Sequence, residues 1–240
     1  MRFDARDEPT RGSWAPSEAE LRRDDTDDVG WWAAPRLTPT ADAAAHYALQ
    51  LALRELFDTV RPDNTSAAAI EQPPLDVLLL GATHEAHLPN DVDMHVVGLG
   101  FNEEELCRNG DLAETHVALD LVAETFTALP FSEHTFDVVL LLYSAQYLAR
   151  PISVFSEVLR VLRPGGFAVV ACGGRVWQNK ATSAWCNAPT DAVRALFFAR
   201  CLYHSTSRDG STFTDIAVED QSPDAGRTDA LFVVTARRGA

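Results

Sequence analysis

The sequence predicts a three-layer α/β sandwich whose sheet is mostly parallel and ends in an antiparallel last strand. Three observations predict it. Short, unbroken apolar runs recur between residues 75 and 173, as expected of strands covered on both faces. Segments with apolar residues at helical spacing separate those runs. Two further β-rich segments, FTDIAVED and ALFVVTARR, close the chain as strands joined by a Pro/Gly turn.

Each element follows from its residues. Residues 1–39 form an acidic, Pro-containing extension that includes the run DDTDD at 24–28. Its first half reads as a flexible tail. Its second half, WWAAPRLTP at 31–39, is expected to pack on the domain and over its ligand cleft, because adjacent tryptophans seldom remain in solvent. The domain proper is residues 40–240. Thr40 reads as a helix cap before ADAAAHYALQLALRELFDTV, and 61–74 reads as a loop bracketed by prolines. Strands are expected at 75–81, 94–100, 116–121, 136–143 and 167–173. NEEEL at 102–106 starts a helix, with acids near its positive end. RPISVFSEVLRVL at 150–162 is amphipathic and stops at RPGG, and 190–204 supplies another helix.

Composition narrows the function classes. With 240 residues, 46% of them hydrophobic, the chain can bury one substantial core. A net charge of −15 opposes non-specific binding to nucleic acid, and Lys180 is the only lysine. That bias fits a GC-rich genome or a salt-adapted source. No apolar run has membrane-spanning length, and MRFDARDEPTRGSW does not read as a secretory signal. The expected setting is cytoplasmic, or organellar in a eukaryote. Cys107, Cys172, Cys186 and Cys201 form no CxxC pair and no zinc spacing, so no metal is expected and they read as reduced thiols. Oligomeric state is not legible.

The block LPFSEHTFDVVLLLYSAQYLARPISVFSEVLRVLRPGGFAVVA, residues 129–171, resembles the class I S-adenosylmethionine-dependent methyltransferases. Within them it is similar to the broad group acting on small molecules. HLP at 87–89, NEEEL, SAQYL at 144–148 and KATSAW at 180–185 resemble a narrower, poorly characterised methyltransferase-like subgroup with a degenerate glycine loop. The resemblance implies a Rossmann-like, seven-stranded sheet, S-adenosylmethionine as cofactor and a small-molecule acceptor.

It also implies where the cofactor residues lie. GATHEAHLP at 81–89 stands where the family has a GxGxG-type turn, and it keeps only Gly81. Two readings remain open: a modified pocket using Gly81, Ala82 and Thr83, or a pocket filled by His84 and His87. Gly100 stands at the usual ribose-binding acid, followed by Phe101. Asn102 or Glu103 are possible substitutes for it, against a plain capping role. Asp120 stands near the adenine position, Leu121 could line its pocket, and Tyr143 faces the cleft. Gln146 and Tyr147 are candidate contacts. Arg175, Trp177 and Lys180 form a candidate anion site, or else a surface salt bridge and a helix anchor.

No nucleophile–base constellation is evident, and methyl transfer needs none when proximity and orientation supply the rate. Two functions follow: a methyltransferase acting on a small or anionic acceptor, or an inactive fold serving as a binding or assembly module. A nicotinamide-nucleotide site is a weak third, since GLGFNEEE lacks the remaining fingerprint.

Overall fold

A computed structural model describes residues 3–16, 28–60, 73–112, 115–119, 121, 127–173 and 175–239. Seven strands form one sheet: β1 (Leu75–Leu80), β2 (Met94–Gly100), β3 (His116–Ala118), β4 (Phe136–Leu142), β5 (Leu162–Gly173), β6 (Phe213–Asp220) and β7 (Leu231–Arg238). Their spatial order is β3-β2-β1-β4-β5-β7-β6. The first five pair in parallel, and β7 runs antiparallel to both β5 and β6. This is the Rossmann-like, three-layer arrangement that the sequence predicts.

Alternation along each central strand feeds two cores. Leu78, Leu80, Val139 and Leu141 face one layer, which holds α4 (Pro151–Val161), α5 (Ser183–Asn187) and α6 (Asp191–His204). Val77, Leu79, Leu140 and Leu142 face the other, which holds α2 (Ala43–Val60) and α3 (Glu103–Arg108). A short helix, α1 (Asp28–Trp32), precedes α2. Both strand faces are apolar because both are covered.

Several boundaries differ from the sequence reading. Helix α2 begins at Ala43, and Asp42, not Thr40, caps it by accepting from the Ala45 amide at 2.9 Å. Thr40 instead gives its amide and hydroxyl protons to Glu85, at 2.7 and 2.5 Å. Strand β5 begins at Leu162, opposite Phe136, so RPGG is an irregularity inside a strand and not a turn before one. Strand β3 is shorter than expected, ending at Ala118.

The N-terminal residues 3–16 are packed against α6. Phe3 meets Tyr203, Trp14 meets Phe197 and His204, and Glu8 pairs with Arg200 at 2.6 Å. Most of the DDTDD run lies outside the described residues. The LPF loop owes its shape to α4: buried Glu157 accepts from the Leu129 amide and pairs with Arg160, which donates to the Leu129 and Phe131 carbonyls. Among the described residues no helix is long and apolar enough to cross a membrane.

Candidate functional site

The chain runs outward from β1 to β2 and β3, then returns to lay β4 on the other side of β1. Such a switch point leaves a crevice beyond the carboxyl ends of the strands. A cavity of about 410 Å³ lies there. Its floor is Gly81–His84 after β1, Phe101 after β2, and Tyr143 and Ser144 after β4. Its roof is Trp32, Arg36 and Thr38–Thr40 from the segment ahead of α2, and Arg175–Trp177 close one side.

The floor is set by close backbone packing. Gly81 has φ +67°, and a Cβ there would lie 2.5 Å from that of Ser144. The Ala82 amide then bonds the Leu99 carbonyl at 3.0 Å, which lays the Ala82 carbonyl across Gly100. A Cβ on Gly100 would sit 2.2 Å from that oxygen. Gly100 is therefore a packing necessity, and an acid cannot stand at that position while the loop takes this path.

Tyr143 carries the other signature of a site. Its φ is +54°, a strained value for a bulky residue. Its hydroxyl is buried without a partner among the described residues, and burial raises its pKa. Gln146 does not line the cavity; its amide donates to the Tyr143 carbonyl at 2.7 Å and so braces the strained turn. Tyr147 does line it, accepts from the Trp177 amide at 3.0 Å, and is pushed up to about 12 by burial.

The roof is tied to α3. Asn102 caps that helix by accepting from the Glu105 amide at 3.1 Å, and it donates to the Trp32 and Ala33 carbonyls at 2.7 and 3.2 Å. Both ends of its amide are thereby committed, and it does not line the cavity. Glu105 does, and it accepts from the Arg36 amide at 2.6 Å. Burial raises its pKa against that hydrogen bond and the nearby Arg36 charge. Trp32 stacks on Phe101 at 5.0 Å between ring centres and meets Tyr147 edge-on at 5.6 Å.

Arg36 lies 4.0 Å from the Trp31 ring centre and 5.2 Å from that of Trp177. Its Nε is buried with no partner among the described residues. Arg175, by contrast, pairs with Asp229 at 2.6 Å and reaches the Pro39 carbonyl. Lys180 is buried off the cavity, 5.3 Å from the Trp31 ring centre.

The structure thus brings Gly81, Ala82, Thr83, Phe101, Tyr143, Tyr147, Arg175 and Trp177 around one cavity. It leaves Gly100, Asn102, Leu121, Gln146 and Lys180 off the lining, and Asp120 lies outside the described residues. Glu103 points away, to His116. His84 borders the cavity without closing it. His87 is buried behind the loop against His46 and Tyr143, and burial lowers its pKa to about 4. Sequence reasoning missed Arg36 and Glu105. For Glu105 a signal existed: it stands beside the apolar Leu106, three residues after the capping Asn102, and both are buried in α3. Arg36 had none beyond its place in the tryptophan-rich segment.

A doubly wound sheet with a cavity at its switch point defines a nucleotide- or cofactor-binding type of α/β domain. Residues 78–170 match the family model described as a methyltransferase domain. Over 73 residues the chain is 34% identical to cycloartenol-C-24-methyltransferase 1 of Oryza sativa subsp. japonica, covering 29% of this chain and 21% of that protein. Over 79 residues it is 35% identical to the ubiquinone/menaquinone biosynthesis C-methyltransferase UbiE of Roseobacter denitrificans, covering 32% of each. The matches thus span about a fifth to a third of these curated relatives. The CurJ carbon methyltransferase structure overlays with a TM-score of 0.51 at 12% identity, covering 83% of this chain and 56% of that one. Residues 78–170 thus match a methyltransferase domain, and the sheet shares the Rossmann-like fold of the CurJ carbon methyltransferase.

Proposed function

We propose that this chain transfers a methyl group from S-adenosylmethionine to a small acceptor bearing an anionic group. The observation that carries the reading is the cavity over Gly81–Thr83. Its volume of about 410 Å³ falls within the usual range for small-ligand pockets, and Trp32, Phe101, Tyr143, Tyr147 and Trp177 contribute aromatic surface to its walls. The degenerate glycine loop is compatible with it, because neither His84 nor His87 fills the space.

The residues present fit the cofactor with one substitution. The loop 81–84 would hold its amino-acid end, and Phe101 its nucleoside end. Glu105 would take the ribose hydroxyls in place of an acid at Gly100, through whichever oxygen is not engaged by Arg36. Bound there, the cofactor would supply an electrophilic methyl on its sulfonium for the acceptor's lone pair, leaving S-adenosylhomocysteine, with any acceptor proton passing to solvent.

The chain's own part is placement. Tyr147, Trp177 and Trp32 exclude water, and Arg36 orients the acceptor's negative group from the roof, where a planar guanidinium suits a carboxylate or phosphate. Arg175, Trp177 and Lys180 support that charge indirectly, by fixing the roof and the rings around Arg36. The free thiols of the four cysteines suit a reducing, cytoplasmic setting, and the charge of −15 disfavours a nucleic-acid substrate. Residues 1–39 are an extension of the 40–240 domain in this reading.

Calorimetric titration with S-adenosylmethionine and S-adenosylhomocysteine tests it. One site for each is expected; no heat and no thermal shift at millimolar ligand would remove the proposal. The second reading, an inactive binding module, is favoured by Gly100 alone. Transfer of a labelled methyl to any small component of a cell extract rejects it, and binding without transfer supports it.

A further inference from the structure

At the β3 edge of the sheet a second group of side chains converges, outside the cavity. Glu103 and Cys107 stand one turn apart on the exposed side of α3, and His116 opens β3 beside them. The His116 Nε2 lies 3.0 Å from the Glu103 carboxylate and 3.7 Å from the Cys107 sulfur, and the three ligand atoms all lie within 4.8 Å of one another.

A nucleophile–base relay does not explain this. A relay places the thiol on one ring nitrogen and the orienting carboxylate on the other. Here both address Nε2, while Nδ1 is buried with no partner among the described residues. Hydrogen bonding is also an incomplete account, because a single Nε2 proton serves the carboxylate and leaves the sulfur unexplained.

Three donor atoms of carboxylate, thiol and imidazole within 4.8 Å of one another suit a tetrahedral ion with one open position. Zinc bond lengths of about 2.3 Å to sulfur and about 2.0–2.1 Å to nitrogen or oxygen set sulfur about 3.5 Å, and oxygen about 3.3 Å, from the nitrogen. The observed 3.7 and 3.0 Å need shifts of only a few tenths of an ångström, and the Glu103–Cys107 pair, at most 4.8 Å apart, closes by rotation of the exposed Glu103 side chain. The imidazole is 15% exposed, which fixes its direction, whereas Glu103 is 65% exposed and free to adjust. Solvent access gives the ion an entry path.

We propose that Glu103, Cys107 and His116 bind one zinc-class divalent ion, with water in the fourth position. Magnesium and calcium do not suit the set, since they take oxygen ligands in sixfold or higher coordination. The thiolate is the ligand, so binding releases a proton and strengthens with pH. The ion would clamp α3 to the edge strand. Because α3 carries Asn102 and Glu105, it would also steady the cavity roof. The spacing gives no zinc motif in the sequence, because the ligands come from a helix and from the strand after it.

The test uses the full, untagged, reduced and metal-stripped chain. Zinc chloride is titrated calorimetrically, and cobalt(II) by absorption. One equivalent at micromolar affinity is expected, with a tetrahedral cobalt spectrum and a thiolate charge-transfer band. Cys107→Ser and His116→Gln should each weaken zinc at least tenfold, and the former should abolish the band. Glu103→Gln, at an exposed position, should weaken zinc without altering the fold, and Cys186→Ser should change nothing. No binding tighter than millimolar, or binding indifferent to the Cys107 and His116 substitutions, overturns the proposal. The readout is independent of S-adenosylmethionine, so its failure and that of the methyltransferase reading are separable.

Discussion

Gly100→Asp is the substitution that family resemblance invites, since it restores an acid at the end of β2. The structure predicts the opposite of a repair. A Cβ at residue 100 would lie 2.2 Å from the Ala82 carbonyl oxygen and 2.9 Å from Leu106 Cδ2. The first is more than an ångström inside normal contact, and it is backbone, held by the Ala82–Leu99 hydrogen bond at 3.0 Å. Relief requires the 81–83 loop to move. Overpacking of this kind costs roughly 1–3 kcal/mol, and a backbone obstacle places Gly100→Ala near the upper end. At roughly 2–4 °C per kcal/mol for a chain of this size, the melting temperature should fall by about 6–12 °C. Gly100→Asp should fall further, because it also buries a carboxylate. Thermal unfolding by circular dichroism, paired with S-adenosylmethionine titration, reads both effects. A Gly100→Ala chain that melts with the parent, or a Gly100→Asp chain that binds the cofactor more tightly, would refute the reasoning.

Three further outcomes are expected. Asn102→Ala removes the α3 cap and two bonds to the roof, and should cost about 1–2 kcal/mol in chemical denaturation. Asn102→Asp should recover the cap but still expose the roof to proteolysis near Trp32, so protection of that chain equal to the parent's counts against the tie. His87 has a lowered folded pKa of about 4, so the folded state binds fewer protons than the unfolded one. Its contribution is complete above the ordinary imidazole value of about 6.5 and is lost as pH falls toward 4. The span corresponds to at most about 3 kcal/mol, and the difference between the parent and His87→Gln across that window should show it. Glu157→Ala strands Arg160 beneath the LPF loop and should cost about 3–5 kcal/mol, whereas Arg175→Ala, at a half-exposed pair, should cost under about 1 kcal/mol. Equal losses from the two would contradict the burial argument.

The sheet was legible because its strands are apolar on both faces, a pattern that local sequence displays without help from distant residues. Leu75–Leu80, Met94–Gly100 and Phe136–Leu142 follow that rule closely. The start of β5 was not legible, because RPGG is turn-forming by composition and only the pairing of Leu162 with Phe136 holds it in the strand. The same limit applied at the site. Gly81, Thr83 and Tyr143 sit on loops that topology alone directs to the cavity. Glu105 and Arg36 gain their places from a contact between segments 69 residues apart, which no local pattern announces. Asp42 displaced Thr40 as the cap because Thr40 is drawn to Glu85, again a long-range partner.

The chamber is assembled from two sources of unequal constraint. One wall belongs to the sheet and lies within the stretch that matches the methyltransferase-domain model; the facing one, Trp32 to Thr40, is encoded upstream of that stretch. On the proposed function, mutations at cavity-facing positions of the upstream strip would alter which guest is accepted while leaving the sheet itself untouched, provided the bonds to Asn102, Glu105 and Glu85 are kept.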